Sequence, residues 1–157
     1  MTDEPPFTSY LVKQLESAIR ARLDAALRRH GITTSQYTAL TVLQHRGDLS
    51  SAQLSRRSFV RPQTMHELVV GLERLGLVAR HASTERRHVL LTRLTAAGRT
   101  KLAECRADVD MVERDMTHGL TDVELALLRG LLERCHHALA PSAGEAVAGA
   151  ARASTGG

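Results

Sequence analysis

The sequence contains 157 residues, 43% of them hydrophobic and 24% charged, with a formal net charge of +4. This length is typical of one globular domain, and it excludes a TIM barrel or a dinucleotide-binding enzyme with a separate substrate domain. No apolar run approaches the roughly 18–20 residues that span a bilayer, and the acidic, proline-containing start is unlike a signal peptide. Two cysteines do not make a disulfide scaffold. We therefore expect a cytoplasmic protein.

The basic charge is concentrated in the middle of the chain. Residues 51–99 carry nine arginines and three glutamates, a net charge of +6, whereas the remaining residues together carry −2. A localised basic surface favours a polyanionic partner, and nucleic acid before a membrane. Charge alone does not distinguish such a surface from an ordinary solvated face.

Long amphipathic helices are predicted on both sides of this basic segment. Leucine or isoleucine recurs at every fourth position near the N-terminus, which predicts a helix over 8–30. A heptad seam predicts a second long helix over 96–118, capped by Thr95. A capping box formed by Thr121 and Glu124 begins a last helix.

The apolar stripes of these flanking helices exceed what a small central domain can bury. Pairing with a second copy would cover them, and two-fold dimers are the commonest soluble oligomers. The alternative is that all the stripes are buried inside one all-α monomer. The residues expected at a homodimer interface are Leu11, Leu15, Leu128, Leu131, Leu132, Cys135 and Leu139.

The middle of the chain predicts a helix-turn-helix followed by a hairpin. The first helix of this part has its N-cap within 34–35. A short helix over 51–58 follows, and after a break a further helix over 62–75 begins at a proline. The segments 77–80 and 89–95 read as two strands joined by a charged tip. The expected fold class is mainly α with a small β-hairpin wing, a winged helix-turn-helix.

This motif assigns DNA contacts to particular side chains. The second helix enters the major groove with its N-terminal residues at the base edges, where glutamine can read adenine and arginine can read guanine. A hairpin tip can place arginine in the adjacent minor groove, and the start of the short helix can hold phosphates. The predicted DNA-binding residues are Ser51, Gln53, Arg57, Arg61, Pro62, Gln63, Thr64, His66, Glu67, Arg80, Arg86, Arg87 and His88.

The sequence over roughly residues 8–140 resembles the MarR family of winged helix-turn-helix regulators. The matching stretches are GITTSQYTALTVLQHRGDLSSAQLSRRSFVRPQTMHELVVGLERLGLVAR and RHVLLTRLTAAGR. They hold Gly-x-Thr before the second helix, the L-E-x-x-G-L-V-x-R end of the reading helix and the L-T-x-A-G entry to the fifth. One departure is the wing tip, where Glu85 stands in place of the Asp of many members, so either Arg87 or, next, Arg86 takes the minor-groove role.

The resemblance implies a homodimer on a pseudo-palindromic operator, usually acting as a repressor, and a pocket for a phenolic or aromatic carboxylate effector. Arg20, His30 and Tyr37 are the candidate effector-binding residues, while Tyr37 packed in the core is the alternative. The expected organisation is a disordered lead over 1–7, dimerisation helices over 8–32 and 96–140, a winged helix-turn-helix domain over 33–95, and a disordered tail over 141–157. No cofactor is expected.

Other functions find less support in the sequence. There is no G-x-S-x-G motif, Gly-rich phosphate loop or H-E-x-x-H motif, so we do not expect an enzyme. The eight histidines are dispersed, and no metal site is expected. Cys105 and Cys135 fall on apolar seams, where inert packing is expected rather than oxidant sensing. The alternative to a DNA-binding regulator is a helical dimeric interaction module whose basic wing binds an acidic protein.

Overall fold

Six helices and three short strands make up the described part of this computed structural model, which covers residues 7–86 and 88–139. The elements are α1 (Thr8–Arg28), α2 (Thr34–Arg46), β1 (Leu49–Ser50), α3 (Ser51–Arg57), α4 (Pro62–Arg74), β2 (Val78–Ala82), β3 (Leu90–Leu94), α5 (Ala96–Thr117) and α6 (Asp122–Leu139). The chain divides into two units, Met1–Met116 and Thr117–Gly157. The expected tail, and all of the expected lead except Phe7, lie outside the described residues.

Two reciprocal capping boxes set the starts of α2 and α3. The N-cap of α2 is Thr33, not a residue within 34–35 as predicted, because the Thr33 hydroxyl accepts a hydrogen bond from Gln36 N while the Gln36 side chain accepts one from Thr33 N. Ser50 and Gln53 form the same pair before α3. Each box satisfies backbone N–H groups that the first helical turn leaves unpaired.

The core of the first unit combines the winged helix-turn-helix with the ends of two long helices. Leu40, Leu54 and Met65 are fully buried at its centre. They are joined by Leu27 at the end of α1 and by Cys105 in the first half of α5, both with no exposed area. The expected dimerisation ranges 8–32 and 96–140 therefore also supply part of this core.

The wing is a three-stranded antiparallel sheet with the order β1-β3-β2, so the predicted hairpin has a third member. Leu49 lies opposite Thr92, and Val78 lies opposite Leu94. The third member, β1, lies directly before α3 in the chain. A Cβ added to Gly98, in the first turn of α5, would lie 2.2 Å from the Leu77 carbonyl oxygen, so glycine permits α5 to approach the wing closely.

The second unit contains α6, which has no buried residue although leucine is its commonest side chain. The predicted capping box is confirmed: Glu124 N donates to the Thr121 hydroxyl and Thr121 N donates to the Glu124 carboxylate. Cys135, predicted on an apolar seam and at the homodimer interface, is exposed in the single chain. Within residues 7–86 and 88–139, no helix combines the length and the apolar character needed to cross a membrane.

Candidate functional site

Helix α4 presents a polar face that is anchored by an apolar one. Met65, Val69 and Leu72 are buried on its inner side at helical spacing, while His66 and Glu67 between them are exposed. Pro62 occupies the first turn and no side chain caps the helix start. The exposed residues of this start are Arg61, Pro62, Gln63, Thr64, His66 and Glu67, all of them among the predicted DNA-binding residues.

Helix α3 and the turn after it hold the start of α4 in place. The Ser55 hydroxyl donates to the Val60 carbonyl over 2.6 Å, and Val60 N donates back to the Ser55 carbonyl over 3.2 Å. Of the predicted DNA-binding residues on α3, Ser51 is partly buried and Arg57 is exposed. The Gln53 amide oxygen is engaged in the capping box of α3, which orients this side chain at the helix start.

The wing tip is shaped by one serine side chain. The Ser83 hydroxyl accepts hydrogen bonds from the backbone N–H groups of Glu85 and Arg86, which folds the tip into a turn. Arg86 and His88 are both exposed there. Arg87, the first choice for a minor-groove contact, lies outside the described residues.

Arg80, one of the predicted DNA-binding residues, forms an ion pair at the base of the wing. Its guanidinium pairs with the Glu73 carboxylate of α4, with Nε 2.9 Å from Oε2. The guanidinium lowers the pKa of Glu73 through this hydrogen bond. A DNA contact by Arg80 therefore competes with a link between the wing and the reading helix.

A second ion-pair cluster at the wing base was missed by the sequence reading. The Asp48 carboxylate, in the loop before β1, lies between Arg93 of β3 and His81 of β2. The hydrogen bond from Arg93 is the main cause that lowers the pKa of Asp48, and the contact with His81 acts in the same direction. The only sequence signal was an acidic residue just before the basic segment.

The three candidate effector residues are not brought into one cavity. Tyr37 lies with Arg99 and Arg106 on a cavity of about 250 Å³ between α2 and α5. Arg20 instead pairs with Glu16 along α1. The ring nitrogen Nε2 of His30 is 2.6 Å from the Asp108 carboxylate, a contact that links the end of α1 to α5.

The cavity combines a half-buried phenol with cationic groups. Burial raises the pKa of Tyr37, while the charge of Arg106 acts against that rise. The other residues that line the cavity are Thr41, Gln44, His45, Leu102 and Ala103. A phenol, two guanidinium groups and two apolar side chains on one cavity make a suitable site for a small anion with an aromatic ring.

Within the described residues, the Cys105 thiol and the possible metal-binding side chains give no sign of a reactive centre. Burial raises the pKa of the Cys105 thiol, which disfavours the reactive thiolate. Across residues 7–86 and 88–139, no three His, Cys, Asp or Glu side chains are grouped in a way that could hold a metal ion.

Comparisons with known proteins agree with this geometry. A model of the MarR family matches residues 30–87. The HTH-type transcriptional repressor Rv2887 of Mycobacterium tuberculosis is 31% identical over 134 residues, which cover 85% of this chain and 96% of the relative. Because such relatives are named as transcriptional repressors, the alternative of a protein-only interaction module is not favoured.

Solved structures extend the same comparison. The crystal structure of the Mycobacterium tuberculosis MarR family protein Rv2887 in complex with salicylic acid is 31% identical, has a TM-score of 0.69, and is matched over 86% of this chain and 99% of its own. A MarR family regulator from Silicibacter pomeroyi, at 22% identity, shares the fold with a TM-score of 0.78 over 87% of this chain and 92% of its own. The expected winged helix-turn-helix class is thereby confirmed, and the chain belongs to the MarR family of DNA-binding transcriptional regulators.

Proposed function

We propose that this protein is a repressor that binds a pseudo-palindromic operator as a homodimer and responds to a small aromatic or phenolic effector. As a regulator of chromosomal genes it would act in the cytoplasm. The observation that carries the proposal is the exposed polar start of α4, whose opposite face is anchored in the core.

The start of α4 has the chemistry of a base-reading element. Gln63 can bond adenine through two atoms, and Arg61 can bond guanine in the same way. The first backbone N–H groups of α4 have no side-chain cap, so they are available to a phosphate oxygen. Arg86 at the wing tip, together with Arg87 as inferred from the sequence, would supply the minor-groove contact.

Homodimer formation is supported by apolar surface that a single chain leaves open. Tyr10, Leu11 and Leu15 are exposed on α1. On α6, Leu127, Leu131 and other apolar side chains are exposed as well. Exposed apolar area on this scale is typical of a surface that a partner covers, and a two-fold pair would present two copies of α4 to two half-sites.

An effector role for the cavity between α2 and α5 is supported by its chemistry and by a relative. Arg99 and Arg106 offer charge to a carboxylate, and Tyr37 offers a hydroxyl and a ring edge. The Rv2887 structure contains salicylic acid, a small aromatic carboxylate. We infer that a molecule of this class binds in this cavity and alters DNA affinity.

The proposal is tested by the binding of a labelled duplex taken from upstream of the protein's own gene, compared with a duplex of scrambled sequence. We expect tighter binding to the upstream duplex, and an affinity that falls steeply as salt rises because phosphate contacts release counterions. Equal affinity for both duplexes with little salt dependence would contradict it.

A further inference from the structure

Phe59 has an unusual position in the turn between α3 and α4. Its side chain is 86% exposed, whereas Ser58 just before it is 5% exposed. Large aromatic side chains are usually the ones that are buried, and serine the one that is left outside. This turn therefore buries the small polar residue and presents the aromatic one to the surroundings.

The backbone of Phe59 is also in a conformation that glycine would adopt more easily. Its φ is +55°, and within residues 7–86 and 88–139 it is the only non-glycine residue with a positive φ. The left-handed region brings the Cβ of an L-residue too close to its own backbone. Glycine would avoid this strain. Because the Phe59 ring is also largely exposed, burial of the ring does not explain why phenylalanine occupies this position.

The turn holds the ring outward rather than leaving it free. The two hydrogen bonds between Ser55 and Val60 close the loop around Phe59. Val60 packs against the core on one side and Ser58 is buried on the other. The outward direction of the Phe59 side chain is thus set by its two neighbours.

Three of the exposed residues next to Phe59 in the chain are arginines. Arg56 and Arg57 are exposed just before the turn, and Arg61, two residues later, is the N-cap of α4. A surface for a protein partner would be a contiguous apolar patch. A lone aromatic ring among arginines next to a base-reading helix is instead suited to DNA, where charge complementarity brings phosphates close.

We propose that Phe59 is a specificity-determining DNA contact whose ring packs against the 5-methyl group of a thymine at the edge of each half-site. The inference rests on the proposed function, in which the start of α4 lies in the major groove. Thymine is the only base that displays a methyl group there, and apolar side chains including phenylalanine read it by contact. Such a contact adds base discrimination that the polar face of α4 does not provide.

The test uses duplexes that the wild-type protein selects from a random-sequence pool, in which each thymine is then replaced in turn by uracil. Uracil removes only the methyl group. We expect wild type to lose about fourfold in affinity at one thymine per half-site, the loss that corresponds to one buried methyl. Phe59→Gly should bind the unmodified duplex more weakly and show no loss at that same thymine.

The variant was chosen so that misfolding does not imitate the result. Phe59→Gly removes the ring and relieves the backbone strain, so its unfolding midpoint should be equal to or higher than that of wild type. Leu75→Ala, which truncates a half-exposed apolar side chain at the other end of α4, is the matched control and should retain the wild-type uracil profile.

The outcomes separate this inference from the proposed function. If wild type selects no sequence from the pool, the proposed function fails. If wild type selects a sequence but Phe59→Gly keeps the same affinity and the same uracil profile, the role of Phe59 is overturned. A uniform loss on all duplexes, or a change in oligomeric state, would likewise overturn it, because the ring would then contact the sugar-phosphate backbone or another protein.

Discussion

Asp48 and Arg93 form a two-pronged ion pair across 45 residues of sequence, with the guanidinium Nε 3.1 Å from Oδ1 and a terminal nitrogen 2.7 Å from Oδ2. His81 Nε2 lies 2.9 Å from the same carboxylate. The loop before β1 is thereby joined to β2 and β3. This contact therefore ties together the three segments that form the base of the wing.

Asp48→Asn should lower the free energy of unfolding by about 1 kcal/mol, because it weakens charge-assisted hydrogen bonds to a partner that is itself well exposed. The folded-state pKa of Asp48 is below its ordinary value of 3.8. Its contribution is therefore present above pH 3.8 and is lost as the pH falls through the lower folded value. Urea unfolding at fixed protein concentration, at neutral and acidic pH, measures this.

Asp110→Asn is the matched control for that experiment, since it weakens an exposed pair with Arg106 within a single helix. Exposed pairs of this kind contribute little to stability, so Asp110→Asn should have a smaller effect than Asp48→Asn. Equal effects of the two variants, or a difference between wild type and Asp48→Asn that grows in acid, would contradict the assigned role of Asp48.

Gly98→Ala should destabilise the protein by about 1–3 kcal/mol, although alanine is the better helix former. The added methyl would meet the Leu77 carbonyl oxygen at 2.2 Å and Leu94 Cδ1 at 2.6 Å, and a backbone oxygen cannot move aside alone. Thermal unfolding measures the effect. Gly130→Ala on α6 is the control: its new methyl meets nothing within 4 Å, so a gain of roughly 0.5–1 kcal/mol is expected.

A double variant, Leu127→Asp with Leu131→Asp, should convert the proposed dimer to a monomer. Both side chains are exposed in the single chain, at 60% and 45%, so their replacement leaves the first unit's core intact. Charges at these positions would oppose burial against a partner. Light scattering gives the mass, and circular dichroism checks that the helices remain.

Ala126→Asp is the control for the dimer experiment, because at 100° per residue it places a carboxylate about 100° from Leu127 and about 140° from Leu131 around α6, away from the face that carries both leucines. It should stay dimeric. A wild-type protein that is monomeric at micromolar concentration would contradict the dimer itself, whatever the variants do.

Salicylate should raise the unfolding temperature of wild type, and Arg106→Met should abolish most of this rise. A ligand that binds only the folded state stabilises it by about 2.7 kcal/mol at a hundred times its Kd. Arg106 lines the cavity beside Tyr37, whereas Arg20 does not. Arg20→Met should therefore keep the rise in unfolding temperature. If Arg20→Met abolishes the rise and Arg106→Met keeps it, the effector binds near Arg20 and not in this cavity.

Gln63→Ala should relax base preference at one position of each half-site, with a loss of about 1–3 kcal/mol on the preferred duplex and little loss on others. Arg86→Ala should instead weaken binding to all duplexes and reduce the salt slope by about 1. Anisotropy titrations at several salt concentrations separate the two effects. If both variants behave alike, α4 does not read bases in the proposed way.

Much of the fold was predictable because its signals are local. Helical periodicity, Pro62 at the start of α4 and the Thr121 capping box involve residues within about one turn of each other. The cap assigned to Thr95 is confirmed, since its hydroxyl accepts from Gly98 N. The N-cap of α2 was predicted within 34–35, one or two residues after its true position at Thr33, because two adjacent threonines and a serine there offer similar caps.

What the sequence by itself determined is the order of the elements, the basic middle segment and the polar start of α4, all of which follow from neighbour-to-neighbour chemistry and residue spacing. Only the tertiary structure decided which distant residues meet. It paired β1 with β3, joined Asp48 to Arg93, separated Arg20 from Tyr37 and placed Cys105 in the core while leaving Cys135 exposed. Such contacts depend on how whole helices pack, and no local pattern specifies that.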